Sequence, residues 1–368
     1  MKRIICTVSN DLTYDQRMIR ICTTLAENGY DVLLAGRELP DSQPFAKQLF
    51  SQKRFKLRFN HGKLFYLELN LRLFFFLLFA KHDLVYAVDL DTLMAGRMAT
   101  WLRGKICVYD AHEYFTEVPE LAGRSFSKKI WETVARIFIP SVKYAITVGE
   151  CLAEVFEQRY GVHFTVIRNM PLVQNYEKQT GESGPFIVIY QGALNDGRGL
   201  EESILAMKLL ENAELWICGE GDLSAQLREL MAENGLQQKV KFLGKLPPAE
   251  LSRLTIQADL GLNLLKNKGL NYYYSLANKA FDYVQAGLPS LGMAFPEYLQ
   301  LNEKHGVFEL LDELTPTCIA EAVTRFRSDH KHYETMAANC RAAASTLNWQ
   351  EESKQLLDFF KKIDWQKS

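Results

Sequence analysis

The chain lacks the features that mark several large classes of protein. Its seven cysteines are scattered and no two form a CxxC pair, so neither a metal cluster nor a disulfide framework is indicated, and no metal is expected. Free cysteines of this kind are typical of a reducing compartment, which predicts a cytoplasmic protein. The longest apolar run, Leu73–Ala80, has eight residues, whereas a membrane-spanning helix needs about 20. A net charge of −1 disfavours a nucleic-acid partner.

What the chain does contain is a regular alternation of strand and helix patterns. It has 368 residues, 48% hydrophobic and 24% charged, which is typical of globular proteins. A single core rarely grows beyond about 250–300 residues, so two domains are expected. Short apolar runs of the kind found in buried parallel strands alternate with helical periodicity. The sequence therefore predicts the α/β class, with two Rossmann-like doubly wound domains facing a cleft and a C-terminal helical segment.

The domain boundaries follow from where the alternation stops and restarts. Polar segments rich in Gly and Pro at 168–171 and 179–185 predict a linker. We expect an N-terminal domain over residues 1–170 and a C-terminal domain over 171–345. The last segment, 346–368, is predicted to be a helix that packs back on the N-terminal domain.

Ligands of doubly wound sheets bind beyond the carboxyl ends of the strands, so the loops after the strands are the candidate sites. Gly192 and Gly199 follow a strand and let the backbone approach a ligand, and Arg198 adds a fixed positive charge, which suits a diphosphate. The loop matches neither GxGxxG nor a P-loop, so NAD and ATP motifs are not supported. An ordinary glycine turn with a surface arginine is the alternative.

Two weaker loops follow the next strands. Gly219 and Glu220 come after an apolar run and predict a second point of ligand contact, although a tight turn with Asp222 capping a helix is equally compatible. Gly244 follows another strand, and its short loop is able to hold a flat base through backbone hydrogen bonds.

The most informative segment is 272–289. We expect Ser275 to cap a helix whose first turn contains Asn278 and Lys279. Asp282 lies four residues after Asn278, on the same helix face. A lysine at a helix start suits a phosphate, and a carboxylate one turn further suits the two hydroxyls of a ribose. A solvated helix start with a Lys279–Asp282 ion pair is the alternative.

Two loops of the N-terminal domain carry polar clusters. Asp110, His112 and Glu113 follow a strand, and a histidine between two carboxylates at a strand end predicts catalytic residues; a structural histidine is the alternative. The loop over residues 9–17 ends at Arg17 and is expected to bind an acceptor or a phosphate, unless it serves only to cap a helix through Asp15.

Taken together, these patterns resemble glycosyltransferase family 4, which has the GT-B fold, and in particular its bacterial polysaccharide-biosynthesis branch. The segments that carry the resemblance are Tyr14–Arg17 with Gly29–Val32, Tyr109–Glu113, Arg198–Gly199, Gly219–Gly221 and Ser275–Tyr283. The resemblance implies transfer of a sugar from a nucleotide-sugar donor, with UDP the family-based guess, to the hydroxyl of a glycan or lipid-linked acceptor with retention of configuration. No cofactor or metal is implied.

The resemblance also implies roles for single residues. Arg198 and Lys279 would hold the diphosphate, Asp282 the ribose, and His112 the donor sugar or the acceptor. Ala193 stands where the family has an arginine, and Tyr274 stands where it has the first of two glutamates. These departures leave open a non-catalytic nucleotide-sugar-binding or scaffold subunit. A nucleotide-sugar 2-epimerase of the same architecture is the other alternative.

A basic segment precedes the longest apolar run. Residues 47–63 carry six Lys or Arg and no acid, and 64–80 then include the apolar run. Four apolar residues are interleaved with the basic ones: Phe50, Phe55, Leu57 and Phe59. This combination predicts peripheral contact of residues 47–80 with an anionic membrane, on the inner face of the cell membrane. A core helix preceded by a solvated basic loop is the alternative.

Overall fold

The computed structural model describes residues 1–121, 123–173 and 184–365. It divides the chain into two compact units, one formed by Met1–Asn169 with Glu352–Ser368 and the other by Met170–Glu351. Residues 179–183 of the predicted linker at 179–185 lie outside the described residues. Within the described ranges, no helix combines the length and the hydropathy that crossing a bilayer requires.

The first unit is built on a seven-stranded parallel sheet with the order β3-β2-β1-β4-β5-β6-β7. Its strands are β1 (Arg3–Thr7), β2 (Asp31–Glu38), β3 (Ser51–Lys56), β4 (Leu84–Val88), β5 (Ile106–Ala111), β6 (Tyr144–Thr147) and β7 (Phe164–Val166). Helices cover the sheet, which is why every residue of β4 and β5 is buried and why these strands are apolar on both faces. Their burial forms the core of the unit.

Five helices connect these strands. They are α1 (Gln16–Glu27), α2 (Gly62–Phe79), α3 (Asp89–Arg103), α4 (Ser125–Phe138) and α5 (Glu150–Tyr160). Crossovers between parallel strands are right-handed, and the chain passes from β3 back to β4 and then onward to β7. The connections through α2, α3 and α4 therefore lie on one face of the sheet and α1 lies on the other, with α3 packed between α2 and α4.

The second unit has a six-stranded parallel sheet with the order β10-β9-β8-β11-β12-β13. Its strands are β8 (Phe186–Gln191), β9 (Ala213–Cys218), β10 (Val240–Gly244), β11 (Leu260–Asn263), β12 (Ser290–Met293) and β13 (Phe308–Leu311). The helices that follow these strands are α6 (Leu200–Ala206), α7 (Ser224–Glu233), α8 (Pro248–Gln257), α9 (Leu270–Tyr273), α10 (Asn278–Gln285), α11 (Pro296–His305), α12 (Pro316–Ser328), α13 (His330–Ala344) and α14 (Trp349–Lys361). One large apolar cluster joins the sheet to all of these helices except α8 and α14, and a second cluster includes Leu251 and Leu254 of α8.

The end of α14 belongs to the first unit because of its aromatic side chains. The ring of Phe360 lies 6.3 Å from that of Tyr86, nearly parallel to it, and 5.7 Å from that of Tyr30. Phe359 meets the ring of Tyr144 edge-on at 6.3 Å. The last described residues are therefore fixed to the sheet of the first unit.

Local predictions at two helix starts had opposite outcomes. Asp15 caps α1, since its carboxylate accepts a hydrogen bond from the backbone N–H of Met18 at 3.0 Å. The prediction that Ser275 caps α10 is wrong. The Ser275 hydroxyl donates to the carbonyl of Tyr272 at 2.9 Å, and Ala277 precedes the helix without a side-chain cap. The reason is the short helix α9, whose closing turn occupies Ser275.

The basic segment at 47–63 contains a strand that the sequence did not reveal. It forms β3 at the edge of the sheet, where Lys and Arg discourage pairing with another chain. Phe50 and Leu57 are buried, and Phe55 packs against the core. Of the four interleaved apolar residues, only Phe59 is exposed. The alternation of basic and apolar residues in 47–63 therefore arises largely from an edge strand.

Candidate active site

In the second unit, the loops after β8 and β9 press against each other at the carboxyl edge of the sheet. The backbone N–H of Gly192 donates to the carbonyl of Cys218 at 3.0 Å. Gly219 has φ +149°, and a Cβ there would lie 1.9 Å from the carbonyl oxygen of Gly192. Only glycine fits at this position, which leaves bare backbone at the strand ends where a ligand of such a sheet binds.

Lys279 reaches this edge from the first turn of α10. Its ammonium nitrogen lies 3.6 Å from the centroid of the Tyr190 ring, and a Cβ on Gly192 would be 3.6 Å from the same atom. Burial lowers the pKa of Lys279 well below its usual value, and the nearby Arg198 lowers it further, whereas Asp282 opposes the shift. An anion bound at Lys279 would restore the charged form.

Arg198 is the second cation of this edge. Its guanidinium carbon lies 5.3 Å from the centroid of the Tyr272 ring. Its Nε atom is buried and has no hydrogen-bond partner among the described residues. A guanidinium with an unused donor beside a lysine ammonium suits the oxygens of a diphosphate.

Asp282 lies one turn further along α10, and Gln191 fixes its position. The amide nitrogen of Gln191 donates to Asp282 Oδ2 at 3.0 Å, while the amide oxygen accepts from the hydroxyl of Thr255 at 2.9 Å. Asn278 is exposed at the start of the same helix. The carboxylate is thereby held at the end of β8 as an acceptor for ligand hydroxyls.

Glu220 and Gly244 lie together after β9 and β10. A Cβ on Gly244 would lie 3.7 Å from Glu220 Oε1, and the same oxygen accepts from Arg228 at 2.9 Å. A hydrogen bond from Ser224, together with Arg228, lowers the pKa of Glu220. The structure thus groups all nine predicted binding positions of this unit on neighbouring strand ends or at the starts of the helices that follow them.

In the first unit, Asp110 is fully buried and paired with Arg17. The guanidinium of Arg17 donates to both carboxylate oxygens, at 2.9 and 3.1 Å through Nη2, and the hydroxyl of Tyr86 donates to Oδ2 at 2.7 Å. Burial alone would raise the pKa of Asp110, but Arg17 and His112 hold it well below its usual range. Arg17 also donates to the carbonyl of Ile167 at 2.8 Å.

This pairing revises two expectations. Arg17 is only 3% exposed and its donors are engaged within the protein, so it does not fit the expected role in binding an acceptor or phosphate. Asp110 lies beneath the surface, where it orients His112 and is not placed to touch a ligand. The structure makes both of them positioning residues.

His112 is the member of this cluster that reaches the surface. Its Nε2 lies 2.9 Å from Asp110 Oδ2 and its Nδ1 lies 3.9 Å from Asp89 Oδ2. Burial would lower the pKa of His112, but the two carboxylates outweigh it and the pKa is raised. The side chain is 21% exposed. Arg17 Nε also donates to His112 Nε2 at 2.9 Å, and an imidazole N–H in this place is a hydrogen-bond donor for a sugar hydroxyl or a leaving group.

Asp89 and Asp91 belong to the same cluster, and sequence reasoning missed them. Both lie in the first turn of α3, which follows β4 directly, and the Asp89 carboxylate accepts from the backbone N–H of His112 at 2.8 Å. Burial raises the pKa of Asp89 to about 8 and that of Asp91 to about 6, with the half-buried Glu113 adding to both shifts. Asp89 also has φ +54°. Two carboxylates directly after the apolar run 84–88 were the pattern that would have revealed them.

Comparison with known proteins gives the family. The model for Glycosyltransferase Family 4 matches residues 16–170, and the model for Glycosyl transferases group 1 matches residues 173–342. The chain belongs to glycosyltransferase family 4. The two matches together span both units and include every candidate residue described above.

Individual relatives of this family-4 chain are distant. It is 26% identical over 200 residues to the lipopolysaccharide core biosynthesis glycosyltransferase LpsD of Rhizobium meliloti, covering 54% of each chain, so it spans about half the length of that relative. It is 25% identical over 267 residues to a GDP-mannose:cellobiosyl-diphosphopolyprenol alpha-mannosyltransferase of Xanthomonas oryzae pv. oryzae, covering 70% of this chain and 68% of the other.

A solved structure confirms the predicted fold. HepE of Anabaena, crystallised with UDP and glucose, superimposes with a TM-score of 0.77 over 99% of this chain and 100% of that one, at 17% identity. Each unit of the family-4 chain is thus a doubly wound parallel sheet of the GT-B type, as expected from the alternation of strands and helices.

The two departures from the family pattern have defined surroundings. The carbonyl of Ala193 accepts from the hydroxyl of Tyr190 at 2.7 Å, so the loop is held without an arginine there. Tyr274 is half-buried, edge-on to Tyr273 with 5.1 Å between ring centroids. Lys279 and Arg198 supply the positive charge of this site, and Asp282 supplies its carboxylate.

Proposed function

We propose that the chain transfers a sugar from a nucleoside diphosphate sugar, with uridine as the base, to an acceptor hydroxyl in lipopolysaccharide or polysaccharide synthesis. The observation that carries this proposal is the approach of the Lys279 ammonium to the bare backbone of Gly192, beside Gly219, with Arg198 near enough to lower the pKa of Lys279. Family membership and the named activities of the two relatives support it. The UDP in the similar HepE structure supports the choice of base.

The residues of the second unit act on the donor. As the bond from the anomeric carbon to the diphosphate oxygen breaks, negative charge grows on the diphosphate, and Arg198 and Lys279 stabilise it. Asp282, held by Gln191, accepts hydrogen bonds from the ribose hydroxyls. The bound diphosphate already favours the charged form of Lys279, and the additional negative charge on the leaving diphosphate strengthens its interaction with Lys279 in the transition state.

Retention of configuration follows from using the leaving group as the base. The acceptor oxygen bonds to the anomeric carbon on the face that the diphosphate leaves, and the acceptor proton passes to the departing diphosphate oxygen. The protein then needs no carboxylate nucleophile, which fits the tyrosine at position 274. His112 donates a hydrogen bond to the donor sugar or the acceptor, and the neighbouring Asp110 and Asp89 raise its pKa.

The proposed acceptor is a glycan or a lipid-linked glycan. A diphosphopolyprenol appears in the name of the Xanthomonas relative, and an acceptor of that kind is held in a membrane. The chain is therefore proposed to act at the inner face of the cell membrane and to contact that membrane peripherally.

Two other functions are the alternatives: Ala193 and Tyr274 motivate a scaffold subunit, and the shared architecture motivates a nucleotide-sugar 2-epimerase. A scaffold subunit would bind the nucleotide-sugar without turning it over. A 2-epimerase would convert the donor sugar without consuming an acceptor. The products distinguish them, since only a transferase releases nucleoside diphosphate in proportion to the acceptor glycosylated.

The first experiment measures thermal stabilisation by UDP, GDP and their sugars. Lys279→Ala and Asp282→Ala are expected to abolish the stabilisation by the preferred nucleotide while the unliganded melting temperature stays close to that of the wild type. Lys208→Ala is the matched control, because Lys208 is an exposed lysine of the same unit that bonds Asn234. Undiminished stabilisation in both site variants would place the nucleotide elsewhere.

A further inference from the structure

Helix α2 has apolar side chains on two sides, and the described residues bury only one of these sides. Its inner side is buried through Phe65, Leu69, Leu73 and Leu77. Its outer side presents a second row at spacings of three and four residues, each between 49 and 80% exposed: Leu64, Leu67, Leu71, Phe75 and Phe79. Because this spacing keeps to one helix face, the outer row forms a continuous apolar stripe.

The neighbouring helices extend this stripe into a wider surface. The outer sides of α3 and α4 add six exposed apolar residues: Met98, Trp101, Leu102, Phe126, Ile130 and Ile137. Tyr66 of α2 contacts Trp131 of α4 at 5.0 Å, so the three helices form one layer. We call these eleven residues the apolar face; they are about half of the 21 large apolar side chains that are exposed among the described residues.

Basic residues predominate among the charged residues around the apolar face. The exposed charged residues of α2, α3 and α4 are Lys63, Arg72, Lys129 and Arg136, and the acidic residues of these helices are buried or half-buried. Arg72 is paired with Glu68 at 2.8 Å. Glu68, for example, is turned toward the protein, where it accepts from the backbone of Arg58 and Phe59. An apolar surface with a basic border complements an anionic lipid surface.

A basic cavity adjoins this surface at the amino ends of β5 and β6. It has a volume of about 190 Å³ and is lined by Arg97, Lys105 and Lys143, with Asp364 as the one acidic residue. Arg97 lies one helical turn before Trp101 and therefore on the same side of α3. The cavity is thus placed to receive the phosphate of a lipid headgroup beside the apolar face.

We infer that the apolar face docks on an anionic phospholipid bilayer, with Trp101 and the stripe of α2 inserted at the level of the headgroups. This inference rests on the proposed function insofar as a lipid-linked acceptor gives the docking a purpose. A symmetric contact between two copies is disfavoured, because it would bring the four basic residues of each copy together. Insertion of α2 across the bilayer is also disfavoured, since its inner side is part of the core.

The test uses the full chain and vesicles of phosphatidylcholine with or without phosphatidylglycerol. Wild-type protein is expected to float with the anionic vesicles and to remain below the neutral ones. Leu71→Glu/Phe75→Glu is expected to lower binding at least tenfold. Lys129→Glu/Arg136→Glu is expected to lower it by roughly fivefold for each charge. The matched control is Leu209→Glu/Leu299→Glu, two residues of the second unit with similar exposure (59% and 49%), which should bind like the wild type.

Three results would overturn the inference. They are absence of flotation of the wild type on anionic vesicles, equal losses in the control and in the α2 variant, and a dimer in solution that the α2 variant converts to monomer. If the double α2 variant does not fold, Phe79→Ser, at the exposed end of the helix, replaces it. Stabilisation by UDP is measured on every variant. If UDP does not stabilise the wild type but the wild type floats with anionic vesicles, the proposed function is refuted and the docking is not. If UDP stabilises the wild type but the wild type does not float, the docking alone is refuted.

Discussion

Replacing Lys279 with methionine separates the binding role of this residue from its role in stability. Methionine keeps an unbranched apolar side chain against the Tyr190 ring but removes the ammonium that lies 3.6 Å from its centroid. Burial and Arg198 already disfavour the charged form in the empty site. The variant should therefore fold as well as the wild type and bind the diphosphate poorly.

The expected loss of affinity for the diphosphate is that of one hydrogen bond from a charged group to phosphate. A hydrogen bond to a charged group contributes about 1.5–3 kcal/mol, which corresponds to a dissociation constant raised by about 10- to 150-fold. A proton effect accompanies it. Since the pKa of Lys279 is lowered in the empty site and an anion raises it again, binding of UDP by the wild type should take up a proton between those two pKa values.

Isothermal titration calorimetry in buffers of different ionisation heat measures both effects. Lys279→Met should show the weaker affinity and no proton uptake at position 279, whereas Lys208→Met should match the wild type. The stability of the wild type should also rise as the pH approaches 10.5, because the unfolded lysine then holds more protons than the folded one. A variant with unchanged affinity and unchanged proton uptake would refute the placement of Lys279 at the diphosphate.

Three further predictions concern stability. Arg17→Met should cost about 3–5 kcal/mol in urea unfolding because it leaves Asp110 charged and buried; a loss below about 1 kcal/mol would contradict the buried pair. Gly219→Ala should lower the free energy of unfolding by about 1–3 kcal/mol and abolish stabilisation by UDP. Gly235 is the control, since it has φ +67° but open space around it. Gly235→Ala should lower the free energy of unfolding by about 1 kcal/mol and leave stabilisation by UDP intact. Asp89 has a pKa raised to about 8 in the folded protein, so the folded state binds an extra proton and wild-type stability should fall between about pH 4 and about pH 8. Asp89→Asn should remove this dependence of the melting temperature on pH. If the dependence is unchanged in the variant, another group causes it.

The residues proposed to bind the nucleotide could be named from the sequence because they are close together in the chain. Gly192 to Gly199 occupy one loop, and Lys279 and Asp282 share one helix turn, so spacing alone places each group at a strand end or helix start. The cap of α10 was predicted wrongly because a four-residue helix, α9, is too short to leave a periodic pattern. Strand β3 was missed for a related reason, since an edge strand exposes its charged side chains and resembles a solvated loop.

The first-unit cluster depended on contacts between residues that are far apart in the chain. Arg17 and Asp110 are separated by 93 positions, and nothing near either residue shows that the two meet in the core. Asp89 approaches His112 only because β4 and β5 are neighbours in the sheet. The order of the strands decides which polar groups share a strand end, and parallel sheets set that order through long crossovers.

By itself, the sequence determined the fold class through its periodicity and the family through short motifs that resemble those of its members. The candidate loops could be named as well, because glycine positions and helix starts are local properties of a chain. The tertiary structure alone decided which charges are buried and which are available. Arg17 and Asp110 are buried where they position His112, whereas the outer side of α2 is exposed in the part of the chain that the structure describes. Whether an apolar or charged side chain meets water depends on what packs over it, and that depends on the arrangement of the whole sheet.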